Sequence, residues 1–157
     1  MEWVVLLHVV SAFLFVGGLI GRNLTLMMAR TSQDIRIVAQ FLALAGRFES
    51  WLVIPGSVAV LLLGLLAAFS EHLSFVAEGN RWLLVSLAIY VATMILVPTV
   101  FLPRGKRFEA AMTDATARGE VTPELSAAFR DPVVAFARNA EAIGLVVIIA
   151  LMVVKPF

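Results

Sequence analysis

Apolar positions in this chain fall in long unbroken runs rather than in short alternating ones. Four runs stand out: Trp3–Gly21, Phe48–Phe69, Trp82–Leu102 and Val133–Val154. Each approaches the roughly 20 residues that a helix needs to cross about 30 Å of hydrocarbon. Transmembrane β-strands would alternate apolar and polar side chains, and these runs do not. The expected fold is therefore all-α: an integral membrane four-helix bundle forming a single domain over residues 1–157. A cleaved signal peptide is the competing reading of the first run. Glu2 stands where a basic segment belongs and the run is too long, so the span is expected to be retained.

Polar and small residues within the runs recur at helical spacing. Positions i, i+3, i+7, i+10 and i+14 share one face at about 100° per residue. The first span places His8, Ser11, Phe15, Gly18 and Arg22 together. The second groups Arg47, Ser50, Ile54, Ser57, Leu61 and Gly64. The third groups Ser86, Tyr90, Thr93 and Val97. The fourth groups Arg138, Glu141, Leu145, Ile148, Met152 and Lys155. Polar groups avoid lipid, so these stripes are expected to turn inward. Gly17, Gly18 and Gly21 include a GxxxG spacing, which permits close helix approach.

Composition agrees with a lipid solvent. The chain is 61% hydrophobic and 15% charged, and its mean hydropathy is +0.98. A water-soluble domain of 157 residues could not bury that much apolar surface. The net charge of +1 gives no reason to expect nucleic acid. The absence of cysteine excludes disulfides, thiolate metal sites and cysteine nucleophiles.

Basic residues are distributed unevenly among the connections. Arg22, Arg30, Arg36 and Arg47 flank the first connection. Arg104, Lys106, Arg107, Arg118, Arg130 and Arg138 flank the third. Arg81 and Lys155 alone belong to the other side, ten against two. The positive-inside rule makes the first and third connections cytoplasmic and both termini external. Trp3 and Trp82 then open their spans at the outer interface, and Trp51 at the inner one. The expected location is a bacterial inner membrane, crossed several times.

The cytoplasmic connections carry helix signals of their own. Thr31-Ser32-Gln33-Asp34 resembles a capped start, which puts the second helix at the interface from about Gln33 before it dives. Arg104–Arg118 reads as a short surface helix ended by Gly119. Thr122-Pro123-Glu124 starts another, with proline in the first turn. Asp131-Pro132 either kinks that helix or restarts it. Pro55 and Pro98 are tolerated within spans.

Candidate chemistry is sparse. His8 lies roughly 8 Å below the outer edge, from a rise of about 1.5 Å per residue. An ionisable group on an inward membrane face is a functional candidate. One reading makes it a metal or haem ligand through a neutral ring nitrogen. The other makes it a structural histidine bonded to Ser86, Tyr90 or a carbonyl. Met152 and Lys155 are the candidate second ligands, and Tyr90 shares that outer layer. An inner layer gathers Arg22, Arg47, Glu49, Arg138 and Glu141 as a structural charge cluster. His72 falls in an outer loop. Met27 and Met28 read as interfacial packing.

Several motifs carry a family resemblance: Leu7-His8, Phe15 and Gly17-Gly18-Leu19, then Arg47, Pro55-Gly56 and Gly64, then Val154-Lys155-Pro156-Phe157. Together they resemble a family of small bacterial membrane proteins defined only as a domain of unknown function. More distantly the chain is similar to HemJ-type protoporphyrinogen oxidases and to CopD-like copper-resistance membrane proteins. The HemJ resemblance implies a four-helix membrane fold and bound haem b, with His8, Arg47 and Lys155 at the matching positions. Phe15 stands where that family has tryptophan, and no histidine lies in the connection directly after the first span or follows Tyr90. Three functions follow as expectations: a haem-binding or redox protein, a non-enzymatic scaffold or subunit, and a small transporter or copper-handling protein. Lipid is the expected surrounding, with a second copy or another membrane protein as partner.

Because the chain lacks cysteine, single introduced cysteines report topology cleanly. Ser74→Cys should react with a membrane-impermeant maleimide on intact cells, and Ser32→Cys and Glu120→Cys only after permeabilisation. The opposite labelling would overturn the orientation.

Overall fold

The computed structural model describes residues 2–75, 77 and 79–156. The expected motif residue Phe157 lies outside them. Among the described residues the chain is helical, and four continuous helical stretches are long and apolar enough to cross a membrane. The residues group into two compact units, 1–73 with 119–121 and 74–118 with 122–157.

The first unit is a helical hairpin. Helix α1 (Glu2–Thr31) runs 30 residues, about 45 Å at 1.5 Å per residue. Helix α2 (Ile35–Phe48) leads through a π-helical turn, Glu49–Val53, into α3 (Ile54–Ser70). The cap of α2 is Asp34, whose carboxylate accepts from the Arg36 N–H at 2.8 Å. The acid thus caps the helix rather than the Thr31 or Ser32 hydroxyl. Helix α2 does not lie flat at the interface. It packs along α1 and buries Ile35, Val38 and Ala45, so both helices continue side by side past the apolar spans.

The α1 stripe is as expected. Phe15 and Gly18 are buried, and His8, Ser11 and Arg22 are partly buried. Thr25 and Ala29 extend the stripe to the end of the helix. The second stripe is displaced at its basic end. Arg47, Ser50 and Ile54 are exposed, while Ala45, Val53, Gly56 and Ser57 are buried and Glu49 partly so. The cause is the π turn. Ala45, Glu49, Val53 and Ser57 are four residues apart, and each such step overshoots a regular helical face by about 40°. A π turn is wider and absorbs that overshoot. Its closing bond runs from the Ile54 N–H to the Glu49 carbonyl, five residues back. Pro55 follows immediately. Its ring would crowd the carbonyl four residues earlier, which the loosened turn relieves.

Glycines set the separation of α1 from the second span. A Cβ built on Gly18 would lie 2.6 Å from the Leu52 Cβ, and one on Gly21 would lie 2.5 Å from the Phe48 ring. From the other helix, a Cβ on Gly56 would meet the Phe15 Cβ at 3.0 Å. Gly17 has nothing within 4 Å, so Gly18 and Gly21 make the close approach.

The second unit begins with α4 (Arg81–Leu96). A π turn at Val97–Phe101, containing Pro98, joins it to α5 (Leu102–Arg118). The expected separate surface helix over Arg104–Arg118 is therefore the continuation of the third span. Helix α6 (Pro123–Phe129) starts with Pro123 in its first turn, and Thr122 caps it by accepting from the Leu125 N–H. The chain breaks at Arg130 and restarts as α7 (Pro132–Val154), capped by Asp131. Gly144 of α7 lies against Thr93 and Ile89 of α4, where a Cβ would sit 3.0 and 3.2 Å from their methyl carbons. Phe108 and Phe129 meet edge to face, centroids 4.9 Å apart, and join α5 to α6. Asp131 does two things at once. Its Oδ1 caps α7, and its Oδ2 accepts from the Arg104 Nε at 2.8 Å.

Large apolar side chains such as Phe13, Leu62, Ile143 and Val146 are exposed, which is the surface that lipid covers. Gly18→Ala should destabilise the detergent-solubilised protein by about 1–3 kcal/mol, because the Leu52 contact cannot close further. Gly17→Ala should be neutral or stabilise by up to about 1 kcal/mol. Thermal unfolding of the two variants checks this, and equal losses would contradict the assigned interface.

Candidate functional site around His8

His8 sits two turns into α1, half-buried on its inward face. Its Nδ1 lies 3.0 Å from the Val60 carbonyl oxygen of α3. A carbonyl can only accept, so Nδ1 carries the hydrogen and donates it. In the neutral ring Nε2 then presents a bare lone pair. Of the partners open to a structural histidine, the one realised is a backbone carbonyl. Gly64 lies against the ring, its missing Cβ leaving the space that Cε1 and Nδ1 occupy. The imidazole is thus oriented by a second group, the arrangement commonly found behind a ligating histidine.

About 20 Å along α1, the Arg22 Nη1 donates to the Glu49 Oε2 at 2.8 Å. The Arg22 side chain is 12% exposed and that of Glu49 39%, so the arginine is the more deeply covered partner. Glu49 opens the π turn, which keeps it on the face toward α1. The structure therefore brings together two members of the expected inner charge cluster. Arg47 is not one of them. It is exposed on α2, because the π turn carries that side of the helix away from α1. Arg138 and Glu141 are both half-buried on α7, three residues apart.

The remaining outer-layer candidates belong to the second unit. Tyr90 on α4 and Met152 on α7 are half-buried. Lys155 ends α7 in a left-handed conformation, φ 47°, and its N–H bonds to the Leu151 carbonyl. Its ammonium stands 5.4 Å from the centroid of the Trp82 ring, within cation–π range. Trp82 is buried, so it is a packing residue under Lys155 and not a lipid-facing belt residue. Trp3 and Trp51 are exposed, as a belt requires.

Some groups escaped the sequence reading. The Val60 carbonyl has no side-chain signature, although Gly64 one turn on was visible on the stripe. The Arg104–Asp131 pair spans 27 residues and is signalled only by Asp131 before a proline. The Asn23 Oδ1 and Ser86 Oγ are buried with no hydrogen-bond partner among the described residues. No group of three or more His, Cys, Asp or Glu side chains that could hold a metal ion occurs among the described residues. A metal or haem bound here would thus rest on His8 with ligands of other kinds.

No curated protein matches the chain, and no solved structure does. One family model matches residues 2–156, nearly the whole length, under the description "predicted integral membrane protein". The chain, an all-α protein with four candidate spans, therefore belongs to that family, DUF2269.

Proposed function

We propose that this protein is a haem-binding redox component of a bacterial inner membrane, with His8 as the residue that would hold the haem through Nε2. The observation that carries the reading is the His8 Nδ1–Val60 carbonyl bond at 3.0 Å. It favours the tautomer with hydrogen on Nδ1, which leaves Nε2 open to coordination. A haem b would supply one-electron transfer. The chain's own contribution is to hold the imidazole in one orientation and to keep water away from it with the apolar faces of α1 and α3. Lys155 is engaged over Trp82 and suits a carboxylate-binding role better than a ligand role. The orientation with both termini outside is supported by the ten-to-two distribution of basic residues.

The competing function is a scaffold without a cofactor, in which the His8–Val60 bond is only a clamp between helices. The visible spectrum separates the two. Protein purified in mild detergent and titrated with hemin should develop a Soret band that red-shifts on ligation, and His8→Ala should abolish the shift. A spectrum that stays that of free hemin would leave the scaffold reading standing.

A further inference from the structure

We infer that Gly64 is a positioning residue for His8: by carrying no side chain it uncovers the Val60 carbonyl and admits the imidazole edge that bonds to it. In a helix, the carbonyl of residue 60 points along the axis toward the N–H of residue 64. A side chain at position 64 would lean back over the turn that precedes it. It would therefore cover the second lone pair of that carbonyl, the one His8 uses. The distances make the exclusion specific. A Cβ on Gly64 would lie 2.9 Å from Cε1 and 3.2 Å from Nδ1 of His8, and 3.8 Å from Nε2. It would strike the edge that makes the hydrogen bond and leave the opposite nitrogen untouched.

Two alternative reasons for a glycine here do not apply. Gly64 is not among the glycines with positive φ, which are Gly79 and Gly119, so its backbone conformation is open to alanine. The three heavy atoms nearest to its Cβ all belong to His8. Helix propensity by itself favours alanine over glycine. The glycine is therefore explained by the ring it accommodates.

The orienting role is independent of what binds Nε2. Its consequence for ligation rests on the reading of His8 as a haem ligand. The test combines four chains, with Gly or Ala at position 64 and His or Ala at position 8. Thermal unfolding in detergent is measured for all four, and hemin affinity for the two that keep His8. Gly64→Ala should lower Tm when His8 is present and leave it unchanged or raise it when residue 8 is alanine. It should also weaken hemin binding by about tenfold or more, the usual loss when a ligand's orienting partner is removed. An equal loss of Tm in both backgrounds would overturn the assignment, because a purely structural glycine does not depend on His8. If the parent chain binds no hemin while the Tm dependence on His8 persists, the haem reading fails and the positioning role stands.

Discussion

Two helices lying in lipid gain nothing from burying apolar surface against each other, since lipid is as apolar as they are. What holds the first hairpin together is close approach, and close approach depends on glycine. Gly18 and Gly21 on α1 face Leu52, Val53 and Phe48, while Gly56 and Gly64 across from them face Phe15 and His8. Two glycines on α1 serve one half of the contact and two on α3 the other half, so neither backbone is held off along it. The two polar contacts described between the helices rely on this spacing. His8 can reach a backbone carbonyl only because the helices are close, and Arg22 can reach Glu49 at the other end for the same reason.

The π turn at Glu49–Val53 completes that arrangement. A regular helix would rotate its buried face away after two four-residue steps. The wider turn keeps Ala45, Glu49, Val53 and Ser57 toward α1, so α2 and α3 serve as one contact surface. It also moves Arg47 to the outside. A second π turn, around Pro98, joins α4 to α5 in the other unit. In both places a proline and a π turn occur together, which is the expected way for a long helix to accommodate a missing N–H without ending.

The sequence carried most of the fold and part of the site. Four spans, the α1 stripe and the Thr122-Pro123 helix start are legible, because each depends on local periodicity or capping chemistry, while Asp131-Pro132 is legible as an interruption but not as a restart rather than a kink. The displaced stripe of the second span was not. Its position follows from a change in helical pitch that the simple 100° rule cannot register. The continuity of the third span past Leu102 into α5 was hidden, since Pro103 and the basic residues after it read locally as an end. At the site, His8 was visible as an ionisable residue on an inward face. Its partner was not, because a main-chain carbonyl leaves no residue-type signature, and only the glycine above it hints that the carbonyl is accessible.

The state of the His8 ring tests the account most directly. Nitrogen-15 NMR of histidine-labelled protein in bilayers, assigned by comparison with His8→Ala, reports which ring nitrogen carries hydrogen. The account predicts a neutral His8 with hydrogen on Nδ1 and a bare Nε2. Hydrogen on Nε2 with a bare Nδ1 would contradict it, since that ring could neither donate to the Val60 carbonyl nor offer the proposed ligating nitrogen.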